Sequence, residues 1–134
     1  MQTFLLRRNW IGGMSNFIMV ITTSGRKSGK QFSTPIGYIY DGDDLISLNP
    51  NGVSNWYRNV LAKPDVKLNI KGVDYNARGE HITDEKEKAR LFEIYKRDYT
   101  LVFPRLFGVA VDASADELAH ALASREMVRF KLRK

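Results

Sequence analysis

A stretch rich in glycine, cations and hydroxyl groups lies between two apolar runs early in the chain. It reads TTSGRKSGKQFSTP, residues 22–35, after FIMVI and before IGYIY. A hairpin turn needs only about two to five residues. So many polar and cationic residues exceed what a turn requires and indicate a binding site. Glycines let successive backbone N–H groups converge on an anion, while Arg26, Lys27 and Ser28 add charge and a hydroxyl donor. We predict that the loop holds a phosphate.

The segment GRKSGK does not fit the Walker A pattern. That pattern has a longer spacing between its glycines, a Ser or Thr directly after the Lys, and a helix behind it. Here three residues lie between Gly25 and Gly29. Gln31 follows Lys30, and the next element is predicted to be a strand. The loop therefore does not indicate a nucleoside triphosphatase.

The residues just after the turn extend the predicted anion site. Ser33, Thr34 and Pro35 lie where one face of the next strand would meet the ligand of the same anion. Because Pro35 has no N–H group, the neighbouring backbone there is free of ladder hydrogen bonds and available to a flat ring.

Alternating apolar residues and turn signals predict an antiparallel sheet. The predicted strands are 17–23, 31–40, LISLN after a DGDD turn at 41–44, VKLNIK, VDYNARGEHI and, as an exposed closing strand, MVRFKLR. Ser54 is expected to cap a short helix that ends at Lys63-Pro64. Residues 84–98 form an amphipathic helix whose five acids and five bases cancel, and SADELAHALAS forms another. LVFPRLFGVAV is predicted to be a packed loop.

This order of elements predicts the fold class. Five or six antiparallel strands with two or three helices indicate an α+β, mainly β protein with a small closed or partly open barrel, not a doubly wound parallel sheet. A length of 134 residues and 43% hydrophobic content fit a single domain over 1–134. There is no cysteine, which fits a reducing cytoplasm and excludes thiolate zinc sites and thiol nucleophiles.

The net charge of +6 is concentrated at the two chain ends and in the opening loop. A basic surface attracts phosphates, whether on a cofactor, a nucleic acid or an anionic membrane. In MQTFLLRRNWIGG, Arg7 and Arg8 interrupt the apolar residues well short of the roughly 20 that span a bilayer. Residues 1–15 are therefore expected to form a helix or arm that packs as a lid, the alternative being peripheral membrane contact.

Three segments in order resemble the deazaflavin-dependent nitroreductase family. They are TTSGRKSGKQFSTP, YDGDDLISL and NWYRNVLAKPDVKLNI, and the likeness covers roughly residues 17–80. The resemblance implies a split β-barrel related to the pyridoxamine phosphate oxidases. It also implies an oxidoreductase that transfers hydride from the reduced deazaflavin coenzyme F-420 to a small organic acceptor, and it leaves a homodimer open.

The resemblance further implies the residues of a cofactor site. The anionic tail would lie on Arg26, Lys27, Ser28 and Gly29, with Lys30 beside them, and Thr34 and Pro35 would flank the ring. Trp56, Tyr57 and Asn59 match the family's Trp-Tyr-x-Asn helix at the barrel mouth. Asn51 lies where the family has a Ser-Lys-Gly-Gly run, and Phe32 where it often has Arg. FMN, which has fewer charges on its tail, is the alternative cofactor.

A bound ring cofactor performs the hydride chemistry, so no catalytic triad is required. A tyrosine at the barrel mouth would then donate the proton, with Tyr38, Tyr57 and Tyr99 as candidates. His81 and His120 are expected to be structural or surface residues, and no metal site is indicated.

Two readings from other classes stay open at this point. A nucleic-acid-binding barrel would stack bases on Phe32, Tyr38 and Tyr40 beside the loop cations, although those cations lie at the ends rather than along a groove. A cofactorless relative would bind a small hydrophobic ligand in the same cavity.

Overall fold

A computed structural model describes residues 18–49, 54–101 and 103–133. Within these ranges it contains seven strands and four helices. The strands are β1 (Ile18–Ser24), β2 (Gln31–Gly37), β3 (Ile39–Asp41), β4 (Asp44–Asn49), β5 (Asp65–Ile70), β6 (Val73–Ile82) and β7 (Glu126–Leu132). The helices are α1 (Asn55–Ala62), α2 (Glu85–Asp98), α3 (Phe103–Phe107) and α4 (Ala115–Ala123). The predicted arm at 1–15 lies outside the described residues.

All neighbouring strands of the sheet run antiparallel, in the order β2-β1-β5-β6-β7-β4-β3. The two edge strands, β2 and β3, follow each other in the chain with only Tyr38 between them. The sheet therefore curls until its two edges approach each other, which confirms the predicted partly open barrel. The predicted strand 31–40 divides at Tyr38, where the chain passes from one edge to the other.

The sheet separates two apolar cores. The barrel interior holds inward residues of β1, β5, β6 and β7 together with Trp56, Tyr57 and Val60 from α1, so α1 closes one end of the barrel. The second core lies between the outer face of β3, β4 and β7 and the helices α2, α3 and α4. In it the rings of Phe103 and Phe107 stack at 4.8 Å between centroids.

Two sequence expectations differ from the structure. The strand MVRFKLR is not an exposed closing strand: β7 pairs with β6 on one side and β4 on the other, and Met127, Val128 and Phe130 are buried. The alternation of residues along β7 was predicted correctly, but the curled sheet places β4 beside β7 as a second neighbouring strand. The segment predicted to be a packed loop contains the short helix α3, because Phe103 and Phe107 must face the same core.

A network of ion pairs ties the β3–β4 hairpin to α2 and β7. The Arg129 guanidinium lies 2.9 Å from Asp41, 2.9 Å from Asp44 and 3.0 Å from Glu87. Arg90 binds both carboxylate oxygens of Asp41, at 2.9 and 2.7 Å, and also contacts Glu87. Because the Arg129 side chain is only 14% exposed, water screens these charges less than it screens surface pairs.

We expect acid to remove the contribution of Asp41 to folding stability. Hydrogen bonds from Arg90, and then Arg129, lower the pKa of Asp41 from 3.8 to about 2 against the effect of burial. The folded state therefore holds this proton more weakly than the unfolded state. The stabilisation, about 2 kcal/mol, is complete above about pH 5 and is lost as the pH falls through 4 towards 2.

Urea unfolding of wild type and Asp41→Asn at pH 7, 4 and 3 measures this effect. The variant is expected to be less stable at pH 7, with the difference shrinking as the pH falls. Asp43→Asn, at an exposed residue of the same turn, serves as the control. A constant difference between wild type and Asp41→Asn at all three pH values would contradict the assignment.

No helix in the described ranges is both long and apolar enough to cross a membrane.

Candidate functional site

A cavity of about 440 Å³ opens between the β1–β2 hairpin and α1. Its walls are Thr23, Gly25, Arg26, Lys27, Ser28, Phe32, Ser33, Thr34, Asn55, Trp56 and Asn59. Seven residues predicted to bind a cofactor thus meet at one place, namely Arg26, Lys27, Ser28, Ser33, Thr34, Trp56 and Asn59. Two segments far apart in sequence, a hairpin loop and a helix, form the cavity together.

Five other predicted residues lie elsewhere. Gly29 and Lys30 belong to the loop but do not line the cavity, and Pro35 faces a second cavity. Tyr57 turns towards His81 on β6. Asn51 is outside the described residues.

Internal hydrogen bonds hold the β1–β2 loop in a turn that leaves three amides available. The Gly25 N–H donates to the Lys30 carbonyl at 2.7 Å, and the Gly29 N–H donates to the Gly25 carbonyl at 3.3 Å. Gly29 has a φ of 73°, which few other residues adopt at low cost. Among the described residues, the backbone N–H groups of Arg26, Lys27 and Ser28 make no hydrogen bond. Consecutive free amides in such a turn are a geometry that can bind an anion.

Asn59 fixes the orientation of Arg26 above this turn. The Asn59 side chain is buried, at 4% exposure, and its Nδ2 donates to Thr23 Oγ1 at 3.0 Å. Its Oδ1 accepts from Arg26 Nη1 at 2.9 Å. Because guanidinium has five N–H donors in a fixed fork, the other donors of Arg26 are left for an anion.

The first turn of α1 adds a further positive element. Asn55 and Trp56 line the cavity, and no acidic residue lies in that turn. Ser54 is the N-cap residue as predicted, but its side chain makes no capping bond and donates instead to Asn49 Oδ1 at 3.0 Å. The positive end of the helix dipole is therefore not neutralised by a capping side chain, which favours negative charge nearby.

A second, smaller cavity adjoins the first across Trp56. It has a volume of about 220 Å³ and is lined by Pro35, Ile36, Gly37, Leu48, Trp56, Tyr95, Tyr99 and Leu106. No charged residue is part of this lining. One cavity thus offers cations and amides, and the neighbouring one offers an apolar surface.

Protein groups surround the three tyrosines proposed as proton donors. Tyr99 donates to the Tyr38 carbonyl at 2.5 Å, and the buried Tyr38 ring packs edge-on against the Tyr40 ring at 5.5 Å between centroids. The Tyr57 hydroxyl lies 3.1 Å from His81 Nε2. Burial raises the pKa of Tyr38, Tyr57 and Tyr99 above that of a free phenol. All three therefore stay protonated at neutral pH.

His81 joins α1 to the end of β7. Besides the Tyr57 hydroxyl, its Nε2 meets Glu126 Oε1 at 3.0 Å, and its ring contacts the Tyr57 ring at 5.6 Å between centroids. It lies outside both cavities described above. His120 is on the exposed side of α4.

Sequence reasoning missed four residues that line the main cavity: Thr23, Gly25, Phe32 and Asn55. Thr23 continues the inward alternation of Met19 and Ile21 on β1, which was a readable signal. A Cβ on Gly25 would lie 2.9 Å from the Phe32 ring, so Gly25 allows that ring to cover the turn.

Comparison with known proteins gives one family and a group of similar folds. Residues 7–103, more than half of the chain, match the model of the F420H(2)-dependent quinone reductase family. A solved F420-H2 dependent reductase superposes with a TM-score of 0.62 at 18% identity, covering 86% of this chain and 94% of that one.

Two further solved structures are similar in fold. A pyridoxamine 5'-phosphate oxidase homologue from Listeria innocua gives a TM-score of 0.63 at 13% identity, covering 98% of this chain and 90% of that one. A structure described as a domain-swapped dimer gives 0.62 at 15% identity, covering 97% and 96%. These likenesses confirm the predicted split-barrel fold. The match over residues 7–103 shows that the chain belongs to the F420H(2)-dependent quinone reductase family and is a deazaflavin-dependent oxidoreductase.

Proposed function

We propose that the main cavity holds coenzyme F-420, with its anionic tail on the β1–β2 loop, and that a quinone acceptor enters the apolar cavity beside it. One observation carries this proposal. Arg26, Lys27 and Ser28, whose amides make no hydrogen bond within the described residues, line one cavity of about 440 Å³ together with the first turn of α1. That volume lies within the range of roughly 300–1,000 Å³ for cofactor pockets.

The residues present fit the two ends of such a cofactor. The tail carries phosphate, which free amides and a guanidinium bind well. Phe32 and Trp56 border the same cavity with aromatic faces, which suit a flat ring. Lys30 is exposed at the rim of the loop and adds charge for a tail longer than that of FMN.

The protein's own contribution to catalysis is binding, orientation and exclusion of water. When bound, the reduced deazaflavin supplies the hydride. Trp56 lines both cavities, so it can hold the ring edge beside the acceptor. The uncharged walls of the second cavity keep a hydrophobic acceptor out of water during reduction.

Titration with oxidised F-420 and with FMN, followed by fluorescence, tests the cofactor. We expect saturable binding of F-420 that is tighter than that of FMN and that weakens as salt rises, because the contacts are ionic. Tighter binding of FMN would favour the alternative cofactor. Absence of binding for both would favour a cofactorless ligand-binding protein.

Reduction of a soluble quinone and of a nitroaromatic compound by F-420-loaded protein tests the acceptor. The apolar second cavity favours the quinone, and the return of the visible absorbance of the oxidised cofactor gives the rate. A faster reaction with the nitro compound would instead support the nitroreductase assignment suggested by the sequence.

We expect single Phe replacements of Tyr38, Tyr57 and Tyr99 to keep turnover within about fivefold of wild type. The Tyr57 and Tyr99 hydroxyl groups already have protein partners, and Tyr38 is only 1% exposed. Loss of a hydroxyl therefore costs a net hydrogen bond of roughly 1 kcal/mol in stability rather than a catalytic proton. Quinone reduction at saturating cofactor measures turnover. A 100-fold loss with unchanged KM in one variant would identify that tyrosine as the proton donor.

Assembly and location are part of the same proposal. A homodimer is supported by the similar structure described as a domain-swapped dimer, and analytical ultracentrifugation tests it. A cytoplasmic location is proposed from the sequence. Residues 1–15 are expected to pack as a lid, with peripheral membrane contact as the alternative, and vesicle sedimentation distinguishes the two. A salt titration with an oligonucleotide tests the nucleic-acid reading, for which no binding is expected.

A further inference from the structure

Helix α1 reaches the β1–β2 loop at a second point beyond Asn59. Lys63, the residue that ends α1, donates from Nζ to the Gly25 carbonyl at 3.0 Å. Asn59 and Lys63 are one helical turn apart, so both side chains project from the same face of the helix. The lysine contacts a residue 38 positions earlier in the chain rather than the last carbonyls of its own helix.

We propose that Lys63 is a positioning residue of the anion site, holding the Gly25 carbonyl so that the amide after it stays available to the anion. The inference rests on the proposed function of the loop. It assigns a role to a side chain that does not line the cavity.

The planar peptide between Gly25 and Arg26 links the contact of Lys63 to the direction of the Arg26 N–H group. In a planar trans peptide, the carbonyl of one residue and the N–H of the next point in opposite directions, and the described residues contain no cis peptide. The Gly25 oxygen is held from two sides, by Lys63 Nζ and by the Gly29 N–H. The N–H of Arg26 must then point away from Lys63, and rotating it out of the site would break both bonds.

Charge gives Lys63 a second effect on the same site. Among the described residues, no carboxylate lies within ion-pair distance of its ammonium group. Its positive charge is therefore not neutralised locally and adds to those of Arg26 and Lys27 at the loop. Two variants separate the effects, since Lys63→Gln keeps a neutral donor and Lys63→Met removes both donor and charge.

The experiment measures loop order and ligand affinity separately. Amide hydrogen exchange in the ligand-free protein follows Gly25, Gly29 and Lys30, whose N–H groups are bonded within the loop. Fluorescence titration with F-420 gives Kd, and quinone reduction gives turnover at saturating cofactor. Arg58→Met, at an exposed residue of the same helix that does not line the cavity, is the matched control.

We expect Lys63→Met to speed exchange of these amides and to raise Kd by about fivefold to tenfold, less than the roughly 10-fold to 100-fold of a direct charged hydrogen bond, because Lys63 acts through the loop. Lys63→Gln should keep wild-type exchange with a smaller rise in Kd. Turnover at saturation and the urea midpoint should stay near wild type, as in Arg58→Met. Equal loss of loop protection, stability and turnover would mean a merely structural role and would overturn the inference.

The same measurements distinguish failure of the cofactor assignment from failure of the role of Lys63. If wild type bound no F-420, the cofactor assignment would fail, while exchange in ligand-free Lys63→Met would still decide whether the lysine orders the loop. Wild-type exchange and wild-type affinity in Lys63→Met, alongside tight binding by wild type, would overturn the role of Lys63 alone.

Discussion

Replacing Arg26 with alanine weakens F-420 binding by about 10-fold to 100-fold, the loss expected for one or more charged hydrogen bonds to an anion. Arg26 lines the main cavity, and Asn59 holds one of its nitrogens at 2.9 Å. The guanidinium is therefore oriented before the ligand arrives, and little side-chain entropy is lost on binding. Fluorescence titration at low and high salt measures the effect.

Two further variants distinguish the guanidinium of Arg26 from the overall charge of the protein. Arg26→Lys keeps the charge but loses the planar fork, so we expect an intermediate Kd. Arg58→Ala removes an equal charge from the exposed side of α1 and is expected to bind like wild type. If Arg26→Ala and Arg58→Ala weakened binding equally, the effect would come from overall charge, and the assignment of the loop as the tail site would fail.

Replacing Gly79 with alanine destabilises the fold by about 3 kcal/mol, the cost of forcing extra volume into a packed core. A Cβ at this position would lie 2.4 Å from Val60 Cγ1 on α1 and 3.3 Å from the Phe130 ring. Val60 is only 1% exposed, and a β-branched side chain cannot easily rotate away. The helix that carries Trp56 and Asn59 must then shift outwards.

A double-mutant cycle tests this overlap. Val60→Ala removes the clashing methyl groups, so Gly79→Ala combined with Val60→Ala is expected to be more stable than Gly79→Ala alone, as measured by urea unfolding. Additive losses would show that the overlap is not the cause. Because the shift displaces α1, Gly79→Ala should also raise Kd for F-420, and the second substitution should restore part of the affinity.

The close packing of α1 against β6 underlies the expected effects at both Arg26 and Gly79. A glycine on β6 allows α1 to lie close against the end of the barrel, and α1 in turn presents Trp56, Asn59 and Lys63 to a loop that precedes it by about 30 residues or more. We therefore expect the affinity of the proposed anion site to depend on packing between a helix and a strand as much as on the loop itself.

The loop proposed as the anion site could be located from sequence because its chemistry is local. Free amides, adjacent cations and a glycine with positive φ all lie within 25–30. The antiparallel barrel was also predictable, since alternation and turn signals act over a few residues. The helical spacing of Trp56 and Asn59 places both on one face of α1, and both line the cavity.

The tertiary structure decided what depends on contacts between distant segments. It gave β7 two neighbours instead of one, and it directed the Tyr57 and Tyr99 hydroxyl groups to His81 and the Tyr38 carbonyl. It also brought Lys63 to Gly25. The sequence by itself determined which groups are available and which elements carry them, because propensity and periodicity are short-range. Which groups meet was decided only when the sheet curled and α1 closed its end, since burying the apolar faces sets those long-range pairings.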